Sequence, residues 1–303
     1  MTTQPHSPQS IMVTGAGGNL GRKVAEALAQ QPWCRKVIGV DIKAATDQQQ
    51  RPGSVLQYIS SDLTRRDASW VDCLDEVDAV IHFAALNPLP DATWDEAFTS
   101  YDMTQNLLLE IAKRPIRRFV FASSNHAMGA YKDEPLAQKI GPGKLTTDLP
   151  PAPGTRWHDG SREVHSLAYG TSKVMGEKLC AAVAELSQGQ LSTVAVRVGW
   201  ALTGDNDPRD ITHSGSPASS AGAQELNADA QRALRWFRNM WLSNRDLTAL
   251  FAAALQADQR NWPAPSIIVN GVSDNQGMDW DLQSAREWLG YQPRDNAYLS
   301  INA

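Results

Sequence analysis

Residues 11–28 read IMVTGAGGNLGRKVAEAL, a short apolar run that passes through a glycine-rich turn into an amphipathic stretch. Gly15, Gly18 and Gly21 stand three residues apart. Such a turn lets the backbone leave a strand sharply and approach a pyrophosphate without a Cβ in the way. Free N–H groups and the dipole at the start of the next helix favour the anion. The stretch therefore predicts a strand, a dinucleotide-binding turn and a helix.

An acidic residue follows at the spacing typical of such a site. Asp41 closes the next apolar run, twenty residues after Gly21, where a carboxylate can accept hydrogen bonds from a ribose diol. The same carboxylate would repel the 2′-phosphate of NADP, and Lys43 is a single nearby cation with no arginine directly after the acid. We expect NAD as the cofactor, with NADP as the alternative.

Short apolar runs alternate with helical stretches along the rest of the chain. Such runs, apolar on both faces, are typical of buried parallel strands. Further strands are predicted at 37–41, 55–59, 78–84, 118–122 and 193–198, and helices at 20–31, 92–113 and 162–187. The tail adds predicted helices at 225–242, 246–258 and 280–290 around an apolar run at 266–269. This alternation predicts an α/β fold with a doubly wound parallel sheet, a Rossmann fold.

The chain divides into a main domain and a smaller tail. We expect residues 1–10 to be disordered, residues 11–200 to form an NAD-binding domain that carries the catalytic residues, and residues 201–303 to form a small substrate-binding or lid region packed on the same domain. Segments 133–161 and 203–224 are rich in loop-forming residues and predict long surface loops. Such loops are either lids and binding segments or insertions without a role.

The composition excludes several classes of function. The 303 residues carry 28 Lys and Arg against 33 Asp and Glu, and no basic block suggests a nucleic-acid partner. No run approaches the ~18 apolar residues of a membrane helix, and no signal peptide is expected. Cys34, Cys73 and Cys180 lie far apart without metal-ligand spacing, which predicts reduced thiols and no metal site. We expect a cytoplasmic protein.

A tyrosine and a lysine four residues apart suggest a general base. Tyr169 and Lys173 lie in a predicted helix, where this spacing puts both side chains on one face. A neighbouring ammonium favours the ionised form of the phenol, so the pair can act as a base near neutral pH. The preceding run FASSNHAMG places Ser123, Ser124 and Asn125 at the carboxyl end of a strand, where open α/β sheets bind ligands.

Together these motifs resemble those of the extended short-chain dehydrogenase/reductases, the NAD-dependent epimerase/dehydratase superfamily. TGAGGNLG, the acidic Asp41, Asp62-Leu63, HFAA, SSNHAMG and YGTSK occur in the family's order over about residues 11–200. The resemblance implies that Ser124, Tyr169 and Lys173 are catalytic. It implies cofactor contacts at Gly15, Gly18, Asn19, Leu20, Gly21, Asp41, Asp62, Leu63, Ala84, Ala85, Tyr169 and Lys173. The chain departs from the family at Tyr101, where the resemblance implies the asparagine of a four-member proton relay, and the sequence does not show that Asn106 replaces it.

Within the superfamily, SSNH and the later MWLS segment are most similar to NAD-dependent uronate dehydrogenases, which oxidise the anomeric hydroxyl of a hexuronic acid to an aldonolactone. This resemblance implies substrate contacts at Asn87, Ser124, Asn125, His126, Tyr169 and Arg235. Arg235 would hold the carboxylate, because a guanidinium binds two oxygens at once, and Arg238 is the alternative. The two long loops depart from these enzymes, as does Trp200, which replaces a small polar residue after RVG.

Three functions follow from this comparison. The leading one is an NAD-dependent dehydrogenase of a cyclic sugar, most similar to those acting on anionic sugars such as hexuronic acids. The first alternative is a nucleotide-sugar epimerase or dehydratase that keeps NAD tightly bound, although only about 100 residues follow Arg197 for a nucleotide-binding region. The second is a nonenzymatic dinucleotide sensor. The resemblance also implies a homodimer formed through the helices at 92–113 and 162–187.

Overall fold

The computed structural model describes residues 8–43, 53–89, 91–158, 162–213 and 226–302 and confirms the predicted α/β fold. The described strands are β1 (Ser10–Thr14), β2 (Lys36–Asp41), β3 (Leu56–Ser60), β4 (Ala79–His82), β5 (Arg118–Ser124), β6 (Arg156–His158), β7 (Glu163–His165), β8 (Ser192–Val198) and β9 (Ser266–Gly271). Seven of them form a parallel sheet in the order β3-β2-β1-β4-β5-β8-β9. The sheet order reverses beside β1, which is where doubly wound folds bind their ligands.

Helices cover both faces of the sheet. They are α1 (Asn19–Leu28), α2 (Trp70–Cys73), α3 (Trp94–Ile111), α4 (Leu167–Leu186), α5 (Ala228–Asn239), α6 (Asn244–Gln256), α7 (Gln283–Leu289) and α8 (Ala297–Ile301), with short 3₁₀ turns at Leu74–Glu76, Asn125–Lys132, Ala137–Lys139, Pro208–Asp210 and Gln259–Asn261. Neighbouring residues of a strand point to opposite faces, so Ile11 and Val13 pack in one core while Met12 packs in the other. Burial on both faces explains why these strands are apolar throughout.

The predicted helix at 162–187 is too long at its start. Residues Glu163–His165 form β7, which pairs antiparallel with β6 in a small hairpin, and α4 begins only at Leu167. The Ser166 N–H donates to the carbonyl oxygen of Thr155, 2.9 Å away, and so continues the contact between the hairpin arms up to the helix. Pairing with the segment just before it, which lies outside the predicted helix, therefore overrides the helical pattern of these residues. The hairpin leads directly into the helix that carries Tyr169.

The segment at 133–161 is not wholly a surface loop. Its Leu145 is fully buried, and the Leu145 N–H donates to the carbonyl oxygen of Asp279 at 2.8 Å. Asn270 on β9 donates to the Leu145 carbonyl oxygen at 2.9 Å, which fixes the segment against the edge of the sheet. Residues 159–161 lie outside the described residues, as does much of the second predicted loop at 203–224.

At both ends of the chain, the described residues belong to the main sheet more fully than the sequence predicts. Residues 1–7 lie outside the described residues, but β1 already begins at Ser10, inside the segment that we expected to be disordered. The N–H groups of Gln9 and Ser10 both donate to Asp78 Oδ2 at 3.0 Å, which extends order to this point. In the tail, β9 pairs with β8 and α6 packs on α1. The tail thus completes the main sheet.

Candidate active site

The glycine-rich turn after β1 has the geometry that a pyrophosphate requires. Gly15 adopts a φ of +69°, and a Cβ there would lie 2.7 Å from the backbone nitrogen of Ala84 on the neighbouring strand segment. A Cβ on Gly21 would collide with the carbonyl oxygen of Gly15. Gly18 is the N-cap of α1 and has no side chain to satisfy the first N–H groups of the helix, which include those of Asn19 and Leu20. The turn therefore offers an anion both space and donors.

Asp41 lies next to this turn at the end of β2. Its Oδ2 accepts a hydrogen bond from the Gly17 N–H at 2.9 Å, and its Oδ1 accepts one from the Lys43 N–H at 3.1 Å. These bonds aim the carboxylate at the glycine turn, where a ribose diol would have to lie to reach it. The residues present fit NAD: a cradle that a Cβ would fill, unsatisfied helix donors and a carboxylate at the ribose position.

A second segment of the predicted cofactor site follows β3. Asp62 Oδ1 accepts from the backbone N–H and the hydroxyl of Thr64, and Leu63 is buried. Asn106 on α3 holds this segment, because its Nδ2 donates to the carbonyl oxygen of Leu63 at 3.0 Å. Asn106 therefore fixes the Asp62-Leu63 backbone and does not take the place of a proton-relay asparagine. The sequence showed only that an asparagine stood in this helix.

A buried hydrogen-bond chain holds the third cofactor segment, at the end of β4. His82 Nδ1 bonds to Thr14 Oγ1 at 2.7 Å and His82 Nε2 bonds to Thr104 Oγ1 at 3.0 Å. The Thr14 hydroxyl also accepts from the Ala84 N–H at 3.4 Å. Burial lowers the pKa of His82 to about 3, so its ring is neutral. This chain ties β1, β4 and α3 together and sets Ala84, followed by the half-buried Ala85, beside the glycine turn.

The structure brings Ser124, Tyr169 and Lys173 together between β5 and α4. All three are buried, and the Ser124 hydroxyl lies near enough to the Tyr169 hydroxyl to lower the pKa of that phenol. Lys173 Nζ donates to the carbonyl oxygen of Ala122 at 2.7 Å and lies 5.5 Å from the centre of the Tyr169 ring. The same Nζ lies 4.9 Å over the Phe121 ring. The predicted trio is thus one cluster at the carboxyl end of the sheet.

Burial sets the acid–base properties of this cluster. It raises the pKa of Tyr169 to about 12, while the Ser124 hydrogen bond acts in the opposite direction. Burial also lowers the pKa of Lys173 to about 8, against the charge of Glu177, which raises it. Each charged form is destabilised alone, but a phenolate beside an ammonium stabilises both. The Tyr169 phenolate and the Lys173 ammonium can therefore exist side by side, although burial destabilises each of them alone.

A buried ion pair lies under the catalytic helix. Arg197 on β8 and Glu177 on α4 are each 1% exposed and bond twice, Nε to Oε1 and Nη2 to Oε2, both at 2.9 Å. The Ser123 hydroxyl on β5 donates to the same Glu177 Oε1 at 2.6 Å. Two strands and α4 are therefore joined one turn beyond Lys173. Charged residues in distant parts of the sequence gave no signal that they would pair.

His126 and Asn125 follow β5 into the site. His126 is 3% exposed, its Nδ1 bonds to Ser166 Oγ at 2.5 Å, and its ring meets the Tyr169 ring edge-on at 5.5 Å. Burial lowers the pKa of His126 to about 4, so the imidazole is neutral. Asn125 Nδ2 donates to the carbonyl oxygen of Val198 at 3.1 Å, and its Oδ1 is buried without a hydrogen-bond partner among the described residues. Ser166, which sequence reasoning missed, fixes the His126 ring.

Two of the predicted substrate residues make contacts outside the catalytic trio. Asn87 donates to Glu96 Oε2 at 3.2 Å and accepts from the Leu89 N–H, which engages its amide within the loop before α3. Arg235 lines a cavity with Trp236 and Asp279, and none of the residues lining that cavity belongs to the catalytic trio. Burial raises the pKa of Asp279, and the charge of Arg235 opposes this shift. The structure therefore does not join Arg235 to the cluster around Tyr169.

Two features are absent from the parts of the chain that the structure describes. In those parts, no group of three or more His, Cys, Asp or Glu side chains is arranged to hold a metal ion. None of the helices found there is long and apolar enough to cross a membrane.

Comparison with known proteins places these features in a family. Residues 11–210 match the model of the NAD dependent epimerase/dehydratase family. An L-arabinose 1-dehydrogenase (NAD(P)(+)) of Haloferax volcanii is 30% identical over 95% of this chain and 97% of its own length. An NAD-dependent glucose-6-phosphate dehydrogenase of the same organism is 30% identical over 95% of this chain and 94% of its own.

Uronate dehydrogenases are also similar. The enzyme of Agrobacterium fabrum is 26% identical over 95% of this chain and 85% of its own length. The crystal structure of uronate dehydrogenase from Agrobacterium tumefaciens superposes with a TM-score of 0.66 and 24% identity, covering 96% of this chain and 86% of that one. This structural likeness shows the shared fold.

Proposed function

The chain belongs to the NAD-dependent epimerase/dehydratase family, and on that premise we propose that it oxidises the anomeric hydroxyl of a free cyclic sugar to the aldonolactone. It is an NAD-dependent oxidoreductase, as its sugar-dehydrogenase relatives are. The observation that carries the finer proposal is the buried cluster of Ser124, Tyr169 and Lys173 at the carboxyl end of the sheet. A base and an oxygen-binding hydroxyl in one place suit the removal of a hydroxyl proton.

The cofactor would lie along the three segments described above. The N–H groups at the start of α1 would bind the pyrophosphate, Asp41 the adenosine ribose and Asp62-Leu63 the adenine side. Ala84 and Ala85 would border the cofactor where β4 ends. NAD, when bound, supplies the acceptor for the hydride that leaves the sugar carbon. The turn itself can bind the pyrophosphate, because the N–H groups at the start of the helix donate hydrogen bonds to the anion.

The residues of the chain handle the proton. Ser124 binds the oxygen of the reacting hydroxyl and holds it against Tyr169. The Tyr169 phenolate takes the proton, and the Lys173 ammonium stabilises the negative charge on the phenolate before that transfer. Lys173 stays fixed because Ala122 accepts one of its three N–H donors at 2.7 Å. Neutral His126, whose ring orientation is fixed by Ser166, borders the sugar on the side of the Tyr169 ring edge.

The charge of the sugar is a separate part of the proposal. An anionic sugar is suggested by the uronate and glucose-6-phosphate relatives, whereas the arabinose enzyme is named for a neutral one. Arg235 stands two positions before Phe237 on α5, about 160° around the helix. Because Phe237 packs against Trp200 beside His126, Arg235 lies on the other side of α5. A carboxylate-binding role for Arg235 would therefore require α5 to move.

The test is NADH formation with a panel of hexuronic acids, hexose phosphates and neutral aldoses, with NADP in parallel. Net NADH with a free sugar supports the dehydrogenase. Turnover only of anionic sugars, lost in Arg235→Ala, would support the arginine as their ligand. Epimerisation of a nucleotide sugar without net NADH would instead support the alternative with tightly bound NAD. Absence of turnover on every sugar would contradict the proposal.

The proposed assembly is a homodimer formed through α3 and α4, in the cytoplasm. The outer sides of these helices expose large apolar side chains: Trp94, Phe98, Leu109, Leu167 and Leu186. Phe98 is 47% exposed and its ring lies 5.8 Å from that of Trp94, which makes an apolar patch at one end of α3. Sedimentation should give a dimer for the wild type and a monomer for Phe98→Glu. A wild-type monomer would contradict the proposal.

A further inference from the structure

Trp200 occupies a position beside the catalytic cluster that the reaction described above does not use. It directly follows Gly199, one residue beyond the end of β8. Its indole is half-buried and its ring centre lies 6.5 Å from that of His126. His126 in turn meets the Tyr169 ring at 5.5 Å. An unbroken row of rings thus leads from the proposed base to Trp200.

The indole is held in this place by its backbone and by its outer neighbour. The Trp200 N–H donates to the carbonyl oxygen of Met240 at 2.7 Å, and the Trp200 carbonyl oxygen accepts from the Leu242 N–H at 2.9 Å. Phe237 on α5 packs behind the indole with ring centres 5.0 Å apart. A side chain bonded through its backbone on both sides and backed by another ring presents a fixed surface to a ligand.

We propose that Trp200 forms the wall of the substrate site and stacks on the C–H face of a single sugar ring, so that it determines binding of the sugar while leaving the chemistry to Tyr169. An indole offers a large apolar face at a small cost in side-chain entropy. A pyranose or furanose has an apolar face of C–H groups that such a surface complements. This inference rests on the proposed function only for the identity of the ligand as a sugar.

A wall of this kind also explains the departure from the uronate enzymes. A small polar side chain at position 200 would leave room and a hydrogen bond for a polar substituent of the sugar. The indole fills that room and replaces the polar contact with an apolar one. With Arg235 on the opposite side of α5, the site on this side of the helix recognises the ring of the sugar more than its charge.

The experiment separates binding from turnover. Sugar binding is measured by calorimetry with NADH-loaded protein, which cannot oxidise the sugar, and turnover is measured with NAD. Three variants distinguish stacking from packing: Trp200→Phe keeps an aromatic face, Trp200→Leu keeps apolar volume without one, and Trp200→Ser restores a small polar group. Trp33→Ser is the matched control, a half-buried tryptophan in the turn after α1.

We expect Trp200→Leu and Trp200→Ser to weaken sugar binding and raise KM by about two- to tenfold, the scale of a lost aromatic stack. Trp200→Phe should retain most of the binding, and kcat at saturating sugar should change much less than KM. The affinity for NADH should be unchanged in every variant, which also shows that the variants fold. Trp33→Ser should leave sugar binding as in the wild type.

The failures of the two proposals differ. Wild-type sugar affinity in Trp200→Leu would overturn the stacking role, as would equal losses in Trp200→Phe and Trp200→Ser or a similar loss in Trp33→Ser. Sugar binding that depends on Trp200 without any turnover would support the stacking role of Trp200 and overturn the proposed dehydrogenase activity. Absence of sugar binding by the wild type would overturn both.

Discussion

Removing the hydroxyl of Tyr169 is the sharpest perturbation of the proposed mechanism. With a pKa of about 12 in the site without cofactor, only about one phenol in 10⁵ is ionised at pH 7. The charge of Lys173 and that of the bound cofactor must therefore favour the phenolate during turnover. Tyr169→Phe eliminates this base altogether. It leaves the glycine turn, Asp41 and the Lys173 bond to Ala122 in place.

The expected loss in kcat is about 10²- to 10⁴-fold, the usual contribution of a positioned general base, or about 3–5 kcal/mol of transition-state stabilisation. The affinity for NAD should stay within about threefold, because the substitution removes the base and leaves the glycine turn and Asp41 unchanged. The assay is single-turnover NADH formation at saturating sugar, with NAD binding measured by calorimetry.

The matched control is Tyr131→Phe, since Tyr131 is also buried and its hydroxyl donates to the Pro150 carbonyl oxygen at 3.2 Å. It should lose this hydrogen bond, worth about 1 kcal/mol of stability, without losing turnover. A Tyr169→Phe enzyme that keeps its kcat within about tenfold would refute the role of Tyr169 as the base. So would equal losses of kcat in both variants.

Three further predictions concern cofactor choice, the buried ion pair and pH. Asp41→Ala should raise KM for NAD and narrow the preference over NADP, because it removes the carboxylate that would repel a 2′-phosphate; kinetics with both cofactors measure this. Glu177→Gln should lower the free energy of unfolding by about 3–5 kcal/mol in urea titrations, because it leaves Arg197 buried without its partner. Burial lowers the pKa of His126 to about 4 and of His82 to about 3. Between pH 6.5 and about 4 the unfolded chain therefore binds protons that the folded chain does not, and the urea midpoint should fall as the pH is lowered through this range.

Each of these predictions has a control or a contradicting result. If Asp41→Ala leaves the ratio of kcat/KM for NAD to kcat/KM for NADP unchanged, that carboxylate does not select the cofactor. Asp67→Asn breaks an exposed ion pair with Arg65 and should leave the urea midpoint unchanged, because exposed pairs contribute little to stability. A loss of stability equal to that of Glu177→Gln would contradict the conclusion that breaking the buried pair costs more. A His126→Asn variant should show a shallower decline of stability with falling pH, and an identical decline would show that this imidazole is not responsible.

The local parts of the site could be predicted from the sequence. The glycine turn is determined by backbone freedom at Gly15, and the Tyr169–Lys173 pair by the period of one helix, so both follow from neighbouring residues. The α/β fold follows for the same reason, because strands buried on both faces need apolar residues throughout. Asp41 lies at the end of β2 as its spacing implied.

The remaining parts depend on contacts between distant segments. Arg235 was expected in the substrate site, but its direction depends on how α5 is rotated against Trp200, which no local pattern determines. The bond from Ser166 to His126 joins residues 40 positions apart. The Arg197–Glu177 pair depends on the alignment of β8 under α4. The β6–β7 hairpin is the local exception: it replaced the predicted start of α4 because residues 163–165 pair with residues 156–158, which the predicted helix at 162–187 did not include.

The most direct test of the proposed reaction is deuterium transfer from a sugar labelled at C1. The labelled sugar is the one with the highest kcat/KM in the panel, and the nicotinamide of the NADH formed is examined by mass spectrometry and NMR. The proposal predicts that the deuterium appears on the nicotinamide ring and that the sugar product is the lactone. Unlabelled NADH, or deuterium retained in a sugar epimer, would contradict oxidation at the anomeric carbon.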